Sequence, residues 1–232
     1  MDFLMLIIKI VLVEIVLLLL YVFALRRWFS YWGATPEERT MKMPEDEMVK
    51  NPFIDMTHAI TIHASPEAVF PWFRQLGQGR GGFYSYDWLE RLFGFGIHNV
   101  YHIDPGLQDI KAGDHIRLHK NGMGATILAL EENKKMVIGM DSRDLHEDRK
   151  YFIPVAKGMF IAGFWSFTLL QQPDGSTRLI ERWKIEWSAG NPFLNMLLVF
   201  GFELPSFIME LRMLRVIKML CEGTPPDKLG IL

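Results

Sequence analysis

Three regimes of hydrophobic patterning follow one another along the chain. From Phe3 to Leu25 almost every position is apolar (FLMLIIKIVLVEIVLLLLYVFAL), with Lys9 and Glu14 the charged exceptions. A helix of that length, rising about 1.5 Å per residue, would span a hydrocarbon core of roughly 30 Å. Residues 33–52 are charged and punctuated by proline, as in a linker. Within them Thr35-Pro36-Glu37-Glu38 supplies a cap, a proline at the first helical position and a glutamate three residues on, so one short capped helix is predicted. Beyond residue 53 the periods of a folded domain appear.

HAITIH (58–63) alternates as a strand. Ser65-Pro66-Glu67 then opens a helix with Val69, Phe70, Trp72, Phe73 and Leu76 on one stripe. After the loop GQGRGG a second short helix is expected from about Tyr86 to Phe93. Asp114–His119, Gly124–Glu131 and Lys135–Asp141 read as hairpin strands, and Phe160–Leu170 and Thr177–Trp187 as two longer ones joined by PDGS. Residues 142–158 suit a surface loop or lid. The last helix is expected to restart at Pro205 after the apolar stretch Phe193–Phe202, with Met213, Val216, Ile217 and Leu220 on one face and Arg212, Arg215, Lys218 and Glu222 on the other. Strand, two helices, antiparallel meander and long terminal helix together make an α+β fold, in which a curved sheet gripping the helix leaves a cavity.

Composition separates the first segment from the rest. Of the first 32 residues 26 are apolar, against about 44% of the remaining 200, an ordinary globular figure. The net charge of −2 divides as +1 and −3, which excludes the basic excess of a nucleic-acid binder. A single cysteine, Cys221, excludes an intrachain disulfide. Arg26 and Arg27, followed by Trp28, Phe29, Tyr31 and Trp32, resemble a positive-inside signal with an aromatic belt. The expected organisation is therefore a single-pass anchor with its belt (1–32), a linker with a short helix (33–52), a ligand-pocket domain (53–223) and a tail (224–232). The C-terminal domain would be cytoplasmic at the cell membrane, and Glu14 could pair the anchors of two copies.

Four segments resemble a known family: WGATPEE, ITIHASPEAVFPWFRQLGQGRGGFYSYDWLERLFG, RLIERWKIEW and FIMELRMLRVIKML, which are spread over residues 32–220. They are similar to the START-like helix-grip superfamily (SRPBCC, polyketide cyclase/dehydrase and lipid transport), and specifically to its membrane-anchored bacterial members. That resemblance implies a helix-grip fold with a hydrophobic pocket, but the family mixes carriers, hormone-binding proteins and cyclases. Fold follows from membership more firmly than function does.

Candidate chemistry is sparse. Strict alternation in Thr177–Trp187 sets Glu181 on the face of Leu179, Trp183, Ile185 and Trp187, and a carboxylate among such side chains must be paired or have a raised pKa. Arg80 or Arg91 is the expected partner. His58, in phase with Ile60 and Ile62, is the second inward polar group. These two are the catalytic candidates. Arg80, Tyr84, Tyr86, Asp87, Trp165, Phe167, Glu181 and Trp183 are the ligand-binding candidates. GQGRGG lacks the context of a nucleotide-phosphate loop. His98/His102 and His115/His119 lack the partners of a metal site, so no metal or cofactor is expected. The leading expectation is a tethered protein that holds a hydrophobic or lipid-like molecule. The alternatives are a cyclase, aromatase or dehydratase working through Glu181 or His58, with Tyr84, Tyr86 or Arg80 polarising a carbonyl, and a regulatory module interacting through Glu14 and the charged insert 142–150.

Overall fold

The computed structural model describes residues 2–92, 94–143 and 158–231. The expected lid and the charged insert fall almost wholly outside those residues.

Six antiparallel strands form one sheet in the order β1-β6-β5-β4-β3-β2. They run over Ile54–Ile62 (β1), His115–Arg117 (β2), Gly124–Glu131 (β3), Lys135–Asp141 (β4), Phe160–Gln171 (β5) and Thr177–Ser188 (β6). Only β1 is out of chain order, brought beside β6 so that the first strand closes against the last. β1 and β6 pair along the whole of β1, and this register sets His58 directly opposite Glu181. Directly opposed residues of an antiparallel pair share a face. Two residues 123 positions apart thus become neighbours through pairing alone.

The terminal helix α6 (Pro192–Cys221) lies in the hollow of the sheet. Asn191 caps it by accepting from the backbone N–H of Phe193 and Leu194, with Pro192 in the first helical position. The expected restart at Pro205 does not occur. One missing N–H is tolerated in a helix of 30 residues, which runs unbroken through it. Met213, Leu214, Val216 and Ile217 are fully buried with the stripe of α4 (Pro66–Arg74) and the inner face of the sheet, and the short helix α5 (Asp87–Leu92) follows α4 along the chain. The curved sheet around a long C-terminal helix is the helix-grip arrangement.

An N-terminal transmembrane helix preceding this fold is not upheld. Among the described residues, the one helix long and apolar enough to cross a membrane is Pro192–Cys221, at the opposite end of the chain. The 23-residue apolar run is divided: α1 (Asp2–Leu20) gives way to a π-helical turn at Tyr21–Leu25 and then to α2 (Arg26–Ser30). These later turns dock on the domain instead of forming a membrane belt. Tyr21 packs on Phe200 with ring centroids 5.0 Å apart, and Phe29 is buried against Phe207 at 5.5 Å. Arg26 grips the buried Glu203 with two nitrogens at 2.7–3.0 Å. With the N-terminal span fall the single-pass anchor, the pairing of copies through it, and the placement at the cell membrane with a cytoplasmic C-terminal domain.

Residues 33–52 lie on the outer face of the sheet. The predicted capping box forms, with Thr35 accepting from the Glu38 backbone and Glu38 from that of Thr35, and it opens α3 (Pro36–Thr40). Arg182, whose phase in β6 points away from the pocket, is consequently only 1% exposed. Its guanidinium donates to the carbonyls of Met41 and Glu38 and to Asp46.

Candidate functional site

Three side chains from three elements meet beneath the sheet: His58 from β1, Glu181 from β6 and Glu210 from α6. All are buried, at 1%, 1% and 7% exposure. The imidazole is held from both sides. Its Nε2 lies 2.9 Å from the carbonyl oxygen of Phe29, which can only accept, so Nε2 carries a proton. Its Nδ1 faces Glu181 Oε2 at 3.1 Å and Glu210 Oε2 at 3.3 Å. The other oxygen of Glu181 accepts from the indole N–H of Trp165 at 2.5 Å. Phe207 closes the site with its ring edge-on to the imidazole at 5.6 Å.

This geometry fixes the charges. Burial works to lower the pKa of His58, but its hydrogen bonds and the charges of the two carboxylates outweigh burial and raise it to about 10, so Nδ1 is protonated at neutral pH. Its one Nδ1 proton serves Glu181, and Glu210 Oε2 is left without a hydrogen-bond partner in spite of its proximity. Burial, reinforced by the negative charge of Glu181 and only partly offset by His58, pushes Glu210 up to about 7. One of the two carboxylates is thus committed to an ion pair while its neighbour stands near the midpoint of titration. A buried carboxyl group raised in this way beside a charged pair is typical of acid–base sites.

Glu210 also forms part of the wall of a cavity of about 590 Å³ between the sheet and the first half of α6. That volume suits a small organic molecule. The wall is aromatic and aliphatic, with Phe83, Phe95, Phe164, Trp165, Trp183 and Phe202 prominent, and its acidic group among the described residues is Glu210. The three polar atoms lie within 4.8 Å of one another, a spacing that would also suit a divalent cation. A cation and the Nδ1 proton would compete for the same place.

The sequence candidates divide into three groups. His58, Glu181, Trp165 and Trp183 come together at this site. Phe167 lies behind it in the core, packed between Trp165 and Phe73. Arg80, Tyr84, Tyr86 and Asp87 are elsewhere. Arg80 donates to the carbonyls of Arg74 and Leu107 and leaves Glu181 to His58 and Trp165. The Tyr84 hydroxyl is fully buried, accepts from Gln75 at 2.6 Å, and is raised by that burial. Tyr86 lies under the guanidinium of Arg212 at 4.4 Å, and Asp87 accepts from Asn99. None of those four is among the residues that line the cavity beside Glu210. His115 and His119 turn to local backbone groups of the hairpin at 119–123.

Glu210 itself was absent from the sequence candidates. The signal lay in the helical stripe, because Glu210 is one turn before Met213 and two turns before Ile217.

No family model matches the chain, and no curated protein does. Among solved structures, protein MLL2253 from Mesorhizobium loti is 16% identical, with 74% of this chain and 98% of that one covered at a TM-score of 0.36. Mll3558 from Rhizobium loti is 15% identical over 72% and 95% of the two chains, at 0.38. CalU16 from Micromonospora echinospora is 13% identical over 76% and 80%, at 0.35.

Proposed function

We propose that the protein is an acid–base catalyst of the cyclase, aromatase or dehydratase type, acting on a hydrophobic, oxygen-bearing molecule held in the cavity. The observation that carries this reading is the Glu210 carboxyl group: buried, poised near neutrality, with an unpartnered oxygen and a place on the cavity wall. A passive carrier gains nothing from such a group, because an unsatisfied buried polar atom costs about 1–3 kcal/mol. The main expectation from sequence, simple containment of a lipid-like molecule, leaves that cost unexplained.

In a dehydration, ionised Glu210 takes the proton from the carbon next to a carbonyl. The C–H electron pair becomes the new C=C bond, the β-hydroxyl departs, and it receives the same proton from Glu210 to leave as water. His58 and Glu181 do not exchange protons with the substrate. They are positioning residues that hold the local charge, and with it the basicity of Glu210. Proton transfer by a placed side chain contributes roughly 10²–10⁴ in rate.

The test uses 4-hydroxy-4-(naphthalen-2-yl)butan-2-one, whose dehydration gives an enone followed by absorbance. The rate is expected to rise with pH through about 7, where Glu210 ionises, and to fall to the level of buffer in Glu210→Gln. Equal rates for that variant and the unsubstituted protein would refute the assignment.

A further inference from the structure

The same cavity has a second polar pole at Ser85. This residue is only 2% exposed to solvent, yet it lines the cavity wall. Its Oγ donates its proton to the buried carboxyl group of Glu90. Glu90 is fully buried, its second oxygen has no hydrogen-bond partner, and burial raises its pKa to about 7.

The backbone around Ser85 is built to hold it there. Tyr84, immediately before it, has φ of +58°, a conformation that a bulky residue adopts only when its surroundings enforce it. The enforcement is visible: Asn99 Oδ1 accepts from the N–H of both Phe83 and Tyr84, and Asn99 Nδ2 donates to the Ser85 carbonyl. Arg212 of α6 also donates to that carbonyl, at 3.4 Å. α6 therefore touches both poles, Glu210 directly and Ser85 through Arg212.

We infer that Ser85 is a substrate-orienting residue that accepts a hydrogen bond from a hydroxyl group of the bound molecule. Its own proton is committed to Glu90, so the lone pairs of Oγ are what it can offer the cavity. The inference rests on the acid–base reading of the cavity and extends it to a substrate class: an aromatic or polycyclic molecule, matched to the ring-lined wall, with one oxygen function towards Glu210 and a free hydroxyl towards Ser85.

Binding of three matched probes tests it: 2-naphthol, 2,6-dihydroxynaphthalene and 6-methoxy-2-naphthol, followed by quenching of tryptophan fluorescence. The second hydroxyl should strengthen binding about tenfold over 2-naphthol, the scale of one buried hydrogen bond, and the methoxy group should not. Ser85→Ala should abolish that ratio. Glu90→Gln, whose amide carbonyl still accepts the Ser85 proton, should keep it. The readout is a ratio of two affinities within one protein, so a general loosening of the fold moves both probes and leaves the ratio alone. Equal affinity for the dihydroxy and methoxy probes in the unsubstituted protein overturns the proposal, as does an undiminished ratio in Ser85→Ala. Either result leaves the Glu210-dependent dehydration to stand or fall on its own rate measurement.

Discussion

Two glutamates sit seven residues apart on one face of the terminal helix, both buried, and their surroundings have opposite characters. Glu203 is 1% exposed and its carboxylate is saturated: Arg26 binds it with Nε and a terminal nitrogen, and the Tyr21 hydroxyl adds a third donor at 3.3 Å. Glu210, two turns on, has a second carboxylate beside it and an oxygen whose nearest donor, the His58 imidazolium at 3.3 Å, already directs its proton to Glu181. Burial is common to both and distinguishes nothing. What separates a structural carboxylate from a reactive one is whether its hydrogen-bonding capacity is filled.

Glutamine at each position should break this pairing of cases in opposite ways. Glu210→Gln should lower the dehydration rate by roughly 10²–10⁴ and leave thermal stability unchanged or slightly higher, because it removes a charge that nothing fully compensates. Glu203→Gln should leave the chemistry intact and cost about 1–3 kcal/mol of stability by unmaking the bidentate pair. Parallel rate assays and thermal melts check both. A stability loss at Glu210 comparable to that at Glu203 would place the two in the same class.

Much of this was legible beforehand, for identifiable reasons. Period-two alternation in β6 put Glu181 on the inner face, and the same phase put His58 with Ile60 and Ile62, so both halves of the ion pair were found without knowing that the strands pair. Their mutual contact was not legible, because register between strands 123 residues apart is a tertiary fact. The same alternation sets Arg182 on the opposite face of β6, but alternation specifies a face and cannot reveal what covers it. Residues 33–52 cover it, and their charged composition is that of a linker. The N-terminal run misled in the reverse sense: continuous hydrophobicity concealed that Tyr21, Arg26 and Phe29 make specific contacts with α6 and the sheet.

A pH series separates the two sites by a smaller effect. His58 has its pKa raised from 6.5 to about 10 in the folded protein. The stability it contributes is therefore complete below about pH 6.5 and lost as pH rises towards 10. Glu210, raised from 4.5 to about 7, acts in the same direction over a lower window, complete below about 4.5 and lost by about 7. Thermal melts should accordingly fall as pH rises from 5 to 10, at roughly 2–4 °C for each kcal/mol lost. His58→Gln should flatten the upper part of that slope and Glu210→Gln the lower part, while Glu203→Gln should keep both. A slope above pH 7 that survives His58→Gln would mean that the imidazole is not the proton reservoir of this cluster.

Salt gives the finest discrimination. Arg26 is 38% exposed on its side chain, whereas both members of the His58–Glu181 pair are 1% exposed. Mobile ions can screen the first interaction and cannot reach the second. Double-mutant cycles, Arg26→Gln with Glu203→Gln and His58→Gln with Glu181→Gln, isolate each coupling from the general cost of substitution. Between 0.05 and 0.5 M sodium chloride the Arg26–Glu203 coupling should weaken by about 0.3–0.5 kcal/mol, the scale of a partly exposed ion pair. The His58–Glu181 coupling should not change. Equal salt sensitivity would show that water and ions reach the cluster. A carboxylate open to ions is solvated, its pKa would relax towards the ordinary range, and the case for Glu210 as a near-neutral base would lose its physical cause.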